Sequence, residues 1–355
     1  MKKPNLFIVG AARSGTTLFW NYLKGHPAVY MPDNLRDKEP AHFSELKKSR
    51  FGRIDVYEGL FENANEEHKW VGEASTAYLT DSESSYRISE YNPESRIIII
   101  LRSPDIRAHS LYRWMVQKGY EYAASFEKAL QLEHYRSQIK IPNYYEMEYF
   151  YNYMYFGSGL YFEQVKRYQN LFHERVLLLR LEDFISDPIR ELKKLCEFLA
   201  IDYHPAPLSP INRSVLVKSA AGQFVLRKLT RALLSEHSFQ SELEKNSYDD
   251  YQIWLSKEAA FHIEALRRVF GITKSEEEWV LKSARQIASE ISQGKLELKG
   301  GSIEGRDKLL ELGHICNDAS TPISEETMLS LKERYRTDVN RLSELMQVDF
   351  SNWLL

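Results

Sequence analysis

Cysteine is scarce in this chain of 355 residues, and the two present, Cys196 and Cys316, lie far apart. Two such residues offer neither a disulfide framework nor a cysteine-based metal motif. Cys196 falls in an apolar helical pattern with Leu192, Leu195, Phe198 and Leu199, which predicts a buried free thiol. Long hydrophobic runs are missing too. No window approaches the roughly 18 apolar residues of a membrane span. The opening Met1-Lys2-Lys3-Pro4 leads into an apolar run of only five residues, too short for a signal-peptide core. A cytoplasmic protein with a reduced interior is the expectation. A surplus of positive charge is also absent: 47 Lys and Arg face 50 Asp and Glu, for a formal net charge of −3. A general nucleic-acid footprint needs such a surplus, so nucleic acid is not an expected partner. Basic residues here must act locally. Internal repeats and low-complexity tracts are missing as well.

What is present predicts a globular fold, with 43% hydrophobic and 27% charged residues. Leu6-Phe-Ile-Val-Gly10 reads as a short buried strand, and Gly15 to Lys24 as a helix with Leu18, Phe19, Tyr22 and Leu23 on one face. Val29–Met31 and Lys69–Glu73 are further strand candidates. Arg96-Ile-Ile-Ile-Ile-Leu-Arg102 is the strongest, a β-branched run suited to a strand covered on both faces. Arg175–Arg180 is of the same kind. Helices are predicted from Ser103, as cap, to about Lys118, and over Gly159–Phe172 and Pro188–Leu199. Strands alternating with helices predict an α/β fold, a three-layer P-loop-like parallel sheet flanked by helices. After about residue 213 strand patterns disappear. Helices are expected there at Tyr251–Phe270, Ser275–Ser292 and Ser324–Met346, with a glycine-rich break over 299–305. This gives three regions: an α/β core at 1–213, an additional helical region at 214–320, and a closing helix at 321–355.

The segment Gly10-Ala-Ala-Arg-Ser-Gly-Thr-Thr17 joins the first strand to the first helix. Its glycines allow backbone N–H groups to approach an anion, and the helix N-terminus adds partial positive charge. Ser14, Thr16 and Thr17 add hydroxyls around Gly15, and Arg13 adds a full charge. An ordinary strand–turn–helix joint is the bland alternative. A nucleoside triphosphatase loop has the same glycine spacing, but its lysine position holds Thr16. Its second half would be a strand ending in Asp to hold Mg²⁺, whereas the isoleucine strand ends in Arg102. Arg107 and Ser110 share a face of the next helix, and Arg102 with the Ser110 hydroxyl makes a second candidate pocket, suited to a phosphate dianion. No metal is expected.

These segments resemble the PAPS-dependent sulfotransferase superfamily, in its bacterial and heparan-sulfate-type branch. Ala12-Arg-Ser-Gly-Thr-Thr17 is similar to the family's loop for the 5′-phosphosulfate of 3′-phosphoadenosine-5′-phosphosulfate (PAPS). Arg102-Ser-Pro-Asp-Ile-Arg-Ala-His-Ser-Leu-Tyr112 matches the motif that grips the 3′-phosphate. Lys38-Glu-Pro40 before Phe43, Gly72–Tyr78, Gly159–Tyr161, Leu181–Phe184 with Asp187-Pro188, and a closing Asp349-x-Ser351-x-Trp353 also match. Residues 5–213 and the last 25 or so carry the likeness.

The resemblance implies sulfuryl transfer from PAPS to a hydroxyl group, with PAP (3′,5′-bisphosphate of adenosine) as product. It makes Glu39 the candidate base; His42, whose ordinary pKa suits the task, is the runner-up, and Glu73, a carboxylate near a strand end, is a third candidate. Arg13 is the candidate cation for the leaving phosphate. Ala74 stands where the heparan-type relatives carry lysine, so that lysine's role does not transfer and polyanionic acceptors lose favour. Acceptors remain open among glycan, lipid, polyketide and other small metabolites, free or tethered to a carrier protein. The aromatic run at 143–156 suits a sugar, an alkyl chain or plain core packing. Lys218, Arg227, Lys228 and Arg231 could meet an acidic partner, or the helices of 214–320 could form a lid. A non-catalytic PAP-binding module and a P-loop kinase are the competing functions.

Overall fold

The computed structural model of the chain describes residues 2–34, 37–46, 49, 51–138, 153–205, 216–217, 220, 223–224, 227, 274–292, 314–316 and 323–355. Two compact units divide the chain: Met1–Leu111 with Glu133–Asn212 and Ser324–Leu355, and Tyr112–Leu132 with Arg213–Ile323. The strands are β1 (Leu6–Gly10), β2 (Val29–Tyr30), β3 (Trp70–Glu73), β4 (Arg96–Leu101), β5 (Val176–Arg180), β6 (Leu216–Val217) and β7 (His314–Cys316). The helices are α1 (Thr16–Lys24), α2 (Ile54–Glu58), α3 (Ala77–Thr80), α4 (Ser84–Tyr91), α5 (Pro104–Gln117), α6 (Phe126–Gln138), α7 (Tyr161–Phe172), α8 (Leu181–Ser186), α9 (Pro188–Leu199), α10 (Lys274–Ser292) and α11 (Glu325–Met346).

In the first unit, five strands form one sheet in the order β2-β3-β1-β4-β5. Every neighbouring pair is parallel. Residues 97–101 of β4 are all fully buried, as a central parallel strand with both faces covered requires. Leu6, Ile8, Ile98, Ile100, Leu177 and Leu179 pack in one cluster with Phe19 and Leu23 of α1 and Leu192, Leu195 and Leu199 of α9. Cys196 joins that cluster as a buried free thiol, 3.3 Å from the Tyr22 hydroxyl. The alternate residues point to the opposite layer, where Phe7 meets Phe43 edge-on at 5.9 Å and α7 packs beside β4 and β5. Each fully buried aliphatic side chain contributes about 1.5–3 kcal/mol, so this alternation specifies the three layers.

Helix α11 closes on α7. Asp338 accepts hydrogen bonds from the backbone N–H groups of Tyr161 (2.7 Å) and Phe162 (3.2 Å), filling the orphan donors at the start of α7. Tyr335 donates to the Phe156 carbonyl at 3.0 Å, and a Cβ on Gly159 would stand 2.7 Å from the Tyr335 hydroxyl. Glycine is therefore needed at 159 for close approach. Phe156 also stacks on the Tyr335 ring at 4.6 Å, so the described end of the aromatic run is core packing. Its remainder, 143–152, lies outside the described residues.

In the second unit, β6 pairs antiparallel with β7. This corrects the expectation that strands end near residue 213. Two- and three-residue strands are too short to show a period. Helix α10 corresponds to the helix expected at Ser275–Ser292. Arg227 lies 3.6 Å over the Tyr120 ring and donates to the Lys118 carbonyl. Lys218, Lys228, Arg231, the helix at Tyr251–Phe270 and the break at 299–305 lie outside the described residues. Among the described residues, no helix is long and apolar enough to cross a membrane.

Candidate active site

The strand order places the carboxyl ends of β3, β1 and β4 side by side, the edge where parallel α/β sheets bind ligands. Each of these strands delivers a different chemistry. After β1, the chain turns sharply: the Ala11 N–H donates to the Ile100 carbonyl at 2.7 Å, and Arg13 and Gly15 take left-handed φ values of 68° and 88°. Gly15 precedes the first residue of α1, where a Cβ would meet Leu181 at 2.8 Å, so a side chain is excluded by both conformation and space. Ser14 is fully buried in this loop, and among the described residues its hydroxyl has no hydrogen-bond partner. A buried hydroxyl without a partner, at a helix N-terminus, suits an anion that satisfies it on binding.

Arg13 donates through Nε to the Ser110 hydroxyl on α5 at 3.3 Å. The loop after β1 and the motif after β4 are thus brought together. Arg102 follows β4 directly and is part-buried, and among the described residues no hydrogen bond or ion pair closes on its guanidinium. Burial pulls its pKa below the ordinary arginine value, partly opposed by Glu182. Tyr161 holds the Arg102 carbonyl at 2.9 Å, and Glu182 accepts from the Ser103 N–H at 2.9 Å, so the backbone of this strand end is fixed. Arg107 is 1% exposed and donates to the Tyr155 carbonyl at 2.7 Å, which makes it a core group.

On the other flank of β1, the segment 38–42 lies against the end of β3. Lys38 is only 3% exposed, and its Nζ donates to Glu39 Oε1 at 2.9 Å, to Thr16 Oγ1 at 3.4 Å and to the Ala74 carbonyl at 3.3 Å. Glu39 keeps 25% of its side chain exposed and also accepts from the Thr76 hydroxyl at 3.1 Å. A buried ammonium therefore joins Glu39 to the loop after β1. Sequence reasoning missed Lys38, treating it only as a neighbour for Glu39. Its Nζ reaches the Ala74 carbonyl from 36 positions away, a contact that no local pattern signals.

His42 sits differently. Its ring stacks on Tyr57 at 4.6 Å and meets Phe43 edge-on at 5.1 Å, and its buried Nδ1 has no partner. Burial lowers its pKa, with Glu58 opposing. Glu73 is fully buried and accepts from the hydroxyls of Tyr78 (2.6 Å), Tyr57 (3.1 Å) and, at very short range, Ser75. No group of three or more potential metal ligands occurs among the described residues.

A family model described as "Sulfotransferase domain" matches residues 3–274. The membrane-associated sulfotransferase kil1 of Dictyostelium discoideum is 28% identical over 116 residues, covering 32% of this chain and 23% of that protein. The bifunctional heparan sulfate N-deacetylase/N-sulfotransferase 3 of Homo sapiens is 27% identical over 129 residues, covering 35% of this chain and 14% of that protein. The chain thus matches less than a quarter of the length of either relative. The crystal structure of a sulfotransferase from Alicyclobacillus acidocaldarius shares the fold, with a TM-score of 0.59, 23% identity and 99% of each chain covered.

Proposed function

This chain belongs to the sulfotransferase domain family, and from that premise we propose that it transfers the sulfuryl group of PAPS to an acceptor hydroxyl and releases PAP. The observation that carries the reading is the junction at Lys38, which joins Glu39 to Thr16 of the loop after β1. Base and donor loop are thereby held in one small volume, as an in-line displacement demands.

In that reaction the acceptor oxygen forms a bond to sulfur while the bond from sulfur to the 5′-phosphate oxygen breaks. The electron pair leaves with the phosphate, and the acceptor proton goes to Glu39. Arg13, the loop N–H groups, Ser14, Thr16 and Thr17 stabilise the growing charge on the leaving phosphate. Arginine keeps its charge at all working pH values, so its role is electrostatic rather than proton donation. Lys38 orients the Glu39 carboxylate and balances its charge. Arg102 and Ser110 take the 3′-phosphate, a role supported by a guanidinium that closes on no described partner. Glu39 is favoured over His42 because its carboxylate is part-exposed and tied to the loop, whereas the His42 ring is clamped between aromatic neighbours.

The acceptor is a hydroxylated small molecule, lipid or glycan, free or carrier-tethered. The test of the reaction itself is incubation with sulfur-labelled PAPS and aliphatic alcohols (glycerol, decanol, methyl glucoside), following PAP release. Acceptor-dependent release is expected. PAP binding without release from any acceptor would favour a binding module, and tight binding of ATP with Mg²⁺ in its place would favour a kinase.

A further inference from the structure

We propose that Glu73 and Ser75 are positioning residues for the base, setting the backbone that carries Glu39 through a one-way hydrogen-bond relay. Their role rests on the reading of Glu39 as base.

The direction of the relay follows from a count of protons. Glu73 is wholly buried at the carboxyl end of β3, where an ionised carboxylate is costly unless several donors meet it. Three hydroxyls do so: Tyr57, Tyr78 and Ser75. Burial first and the neighbouring carboxylate second push both tyrosines well above their ordinary pKa, so they remain protonated donors. Ser75 has one hydroxyl proton, and Glu73 takes it. The Ser75 oxygen is then left only with lone pairs, and it accepts from the Ala41 N–H at 2.8 Å. Carboxylate, serine and amide therefore run in a single direction.

That amide sits two residues after Glu39, at a residue held at φ 51°, a left-handed conformation that needs outside support in a residue with a side chain. A second tie, from the Ala74 N–H to the Lys38 carbonyl at 3.0 Å, lies on the other side of Glu39. The base is consequently suspended between two backbone clamps, both from residues close to Glu73 in the chain. A Gln at 73 would put an amide N–H donor where a carboxylate oxygen now accepts, so a hydroxyl that donates to Glu73 would have to turn round and accept, and an Ala at 75 would leave the Ala41 N–H without its acceptor.

The experiment is a double-mutant cycle between Ser75→Ala and Glu39→Gln, with Glu73→Gln run beside it, on the full chain with PAPS and the aliphatic alcohol that gives most PAP release. Ser75→Ala is expected to lower kcat about 10- to 100-fold, to leave PAP affinity unchanged by calorimetry, and to cost nothing further when combined with Glu39→Gln. Independently of turnover, amide exchange at Ala41 should rise about 10-fold or more, as expected for a buried N–H that loses its acceptor. Equal losses in the wild-type and Glu39→Gln backgrounds, an unchanged kcat, or unaltered exchange at Ala41 would overturn the proposal. So would a Ser75→Ala chain that fails to fold, since the serine would then belong to the scaffold. If the wild-type chain releases no PAP, the sulfuryl-transfer reading fails on its own, and the exchange measurement still decides whether the relay holds Ala41.

Discussion

Two strands flank β1, and their ends have opposite character. The β3 end is acidic and crowded with internal donors: Glu73 is satisfied by three hydroxyls, and Glu39 by Lys38 and Thr76. The β4 end is cationic and under-satisfied: Arg102 has no described partner closing on its guanidinium, and Ser14 in the adjoining loop has a buried hydroxyl with none. The contrast implies a division of labour. Groups whose hydrogen bonds are complete without a ligand are suited to hold a geometry, while groups left incomplete and desolvated are suited to take an anion, the role proposed for them above.

Substitutions that act on one end alone probe this contrast. The largest effect should come from Glu39→Gln, which removes the proposed proton acceptor and should lower turnover by about 10²–10⁴-fold. PAP affinity should hold nearly constant, as calorimetry would show. Arg102→Ala should do the reverse. Loss of an arginine–phosphate pair worth about 1.5–3 kcal/mol weakens PAP binding roughly 10- to 100-fold. If both variants lost affinity equally, the two ends would not be functionally distinct.

A smaller effect concerns stability on the acidic side. Burial pushes the Asp81 carboxyl up, but hydrogen bonds from the Ser44 hydroxyl and the N–H groups of Glu83, Glu45 and Leu46 outweigh it and hold its pKa below the ordinary value. A depressed carboxylate pKa stabilises the fold above the unfolded-state value near 4, and the benefit fades as pH falls through the folded value. Asp81→Asn should therefore cost about 1–3 kcal/mol at neutral pH. The gap from wild type should shrink as pH drops below about 4 in urea melts. Smallest of all is Tyr335→Phe, remote from both ends. Losing the bond to the Phe156 carbonyl should cost about 1 kcal/mol in stability and leave PAP affinity intact.

Much of the cationic side was legible in the sequence because its signals are local. A glycine loop between strand and helix, and an isoleucine run ending in arginine, each sit within a dozen residues. The parallel sheet was readable for the same reason, since continuous β-branched runs need both faces covered. The acidic side was not. Lys38 reaches Ala74, and Glu73 draws on Tyr57 and Tyr78, so the partners meet only after β3 has been laid beside β1. The burial of Arg107 was not legible either: its spacing from Ser110 shows a shared helix face but not which of the two turns inward. The short pair β6 and β7 carries no period to detect.

A calorimetric titration of PAP into the wild-type chain, and into Arg102→Ala and Glu39→Gln, interrogates both strand ends in one measurement. Saturable binding that Arg102→Ala weakens at least about tenfold, and Glu39→Gln leaves in place, is the predicted result. Absence of PAP binding to the folded wild-type chain, or binding indifferent to Arg102, would contradict it.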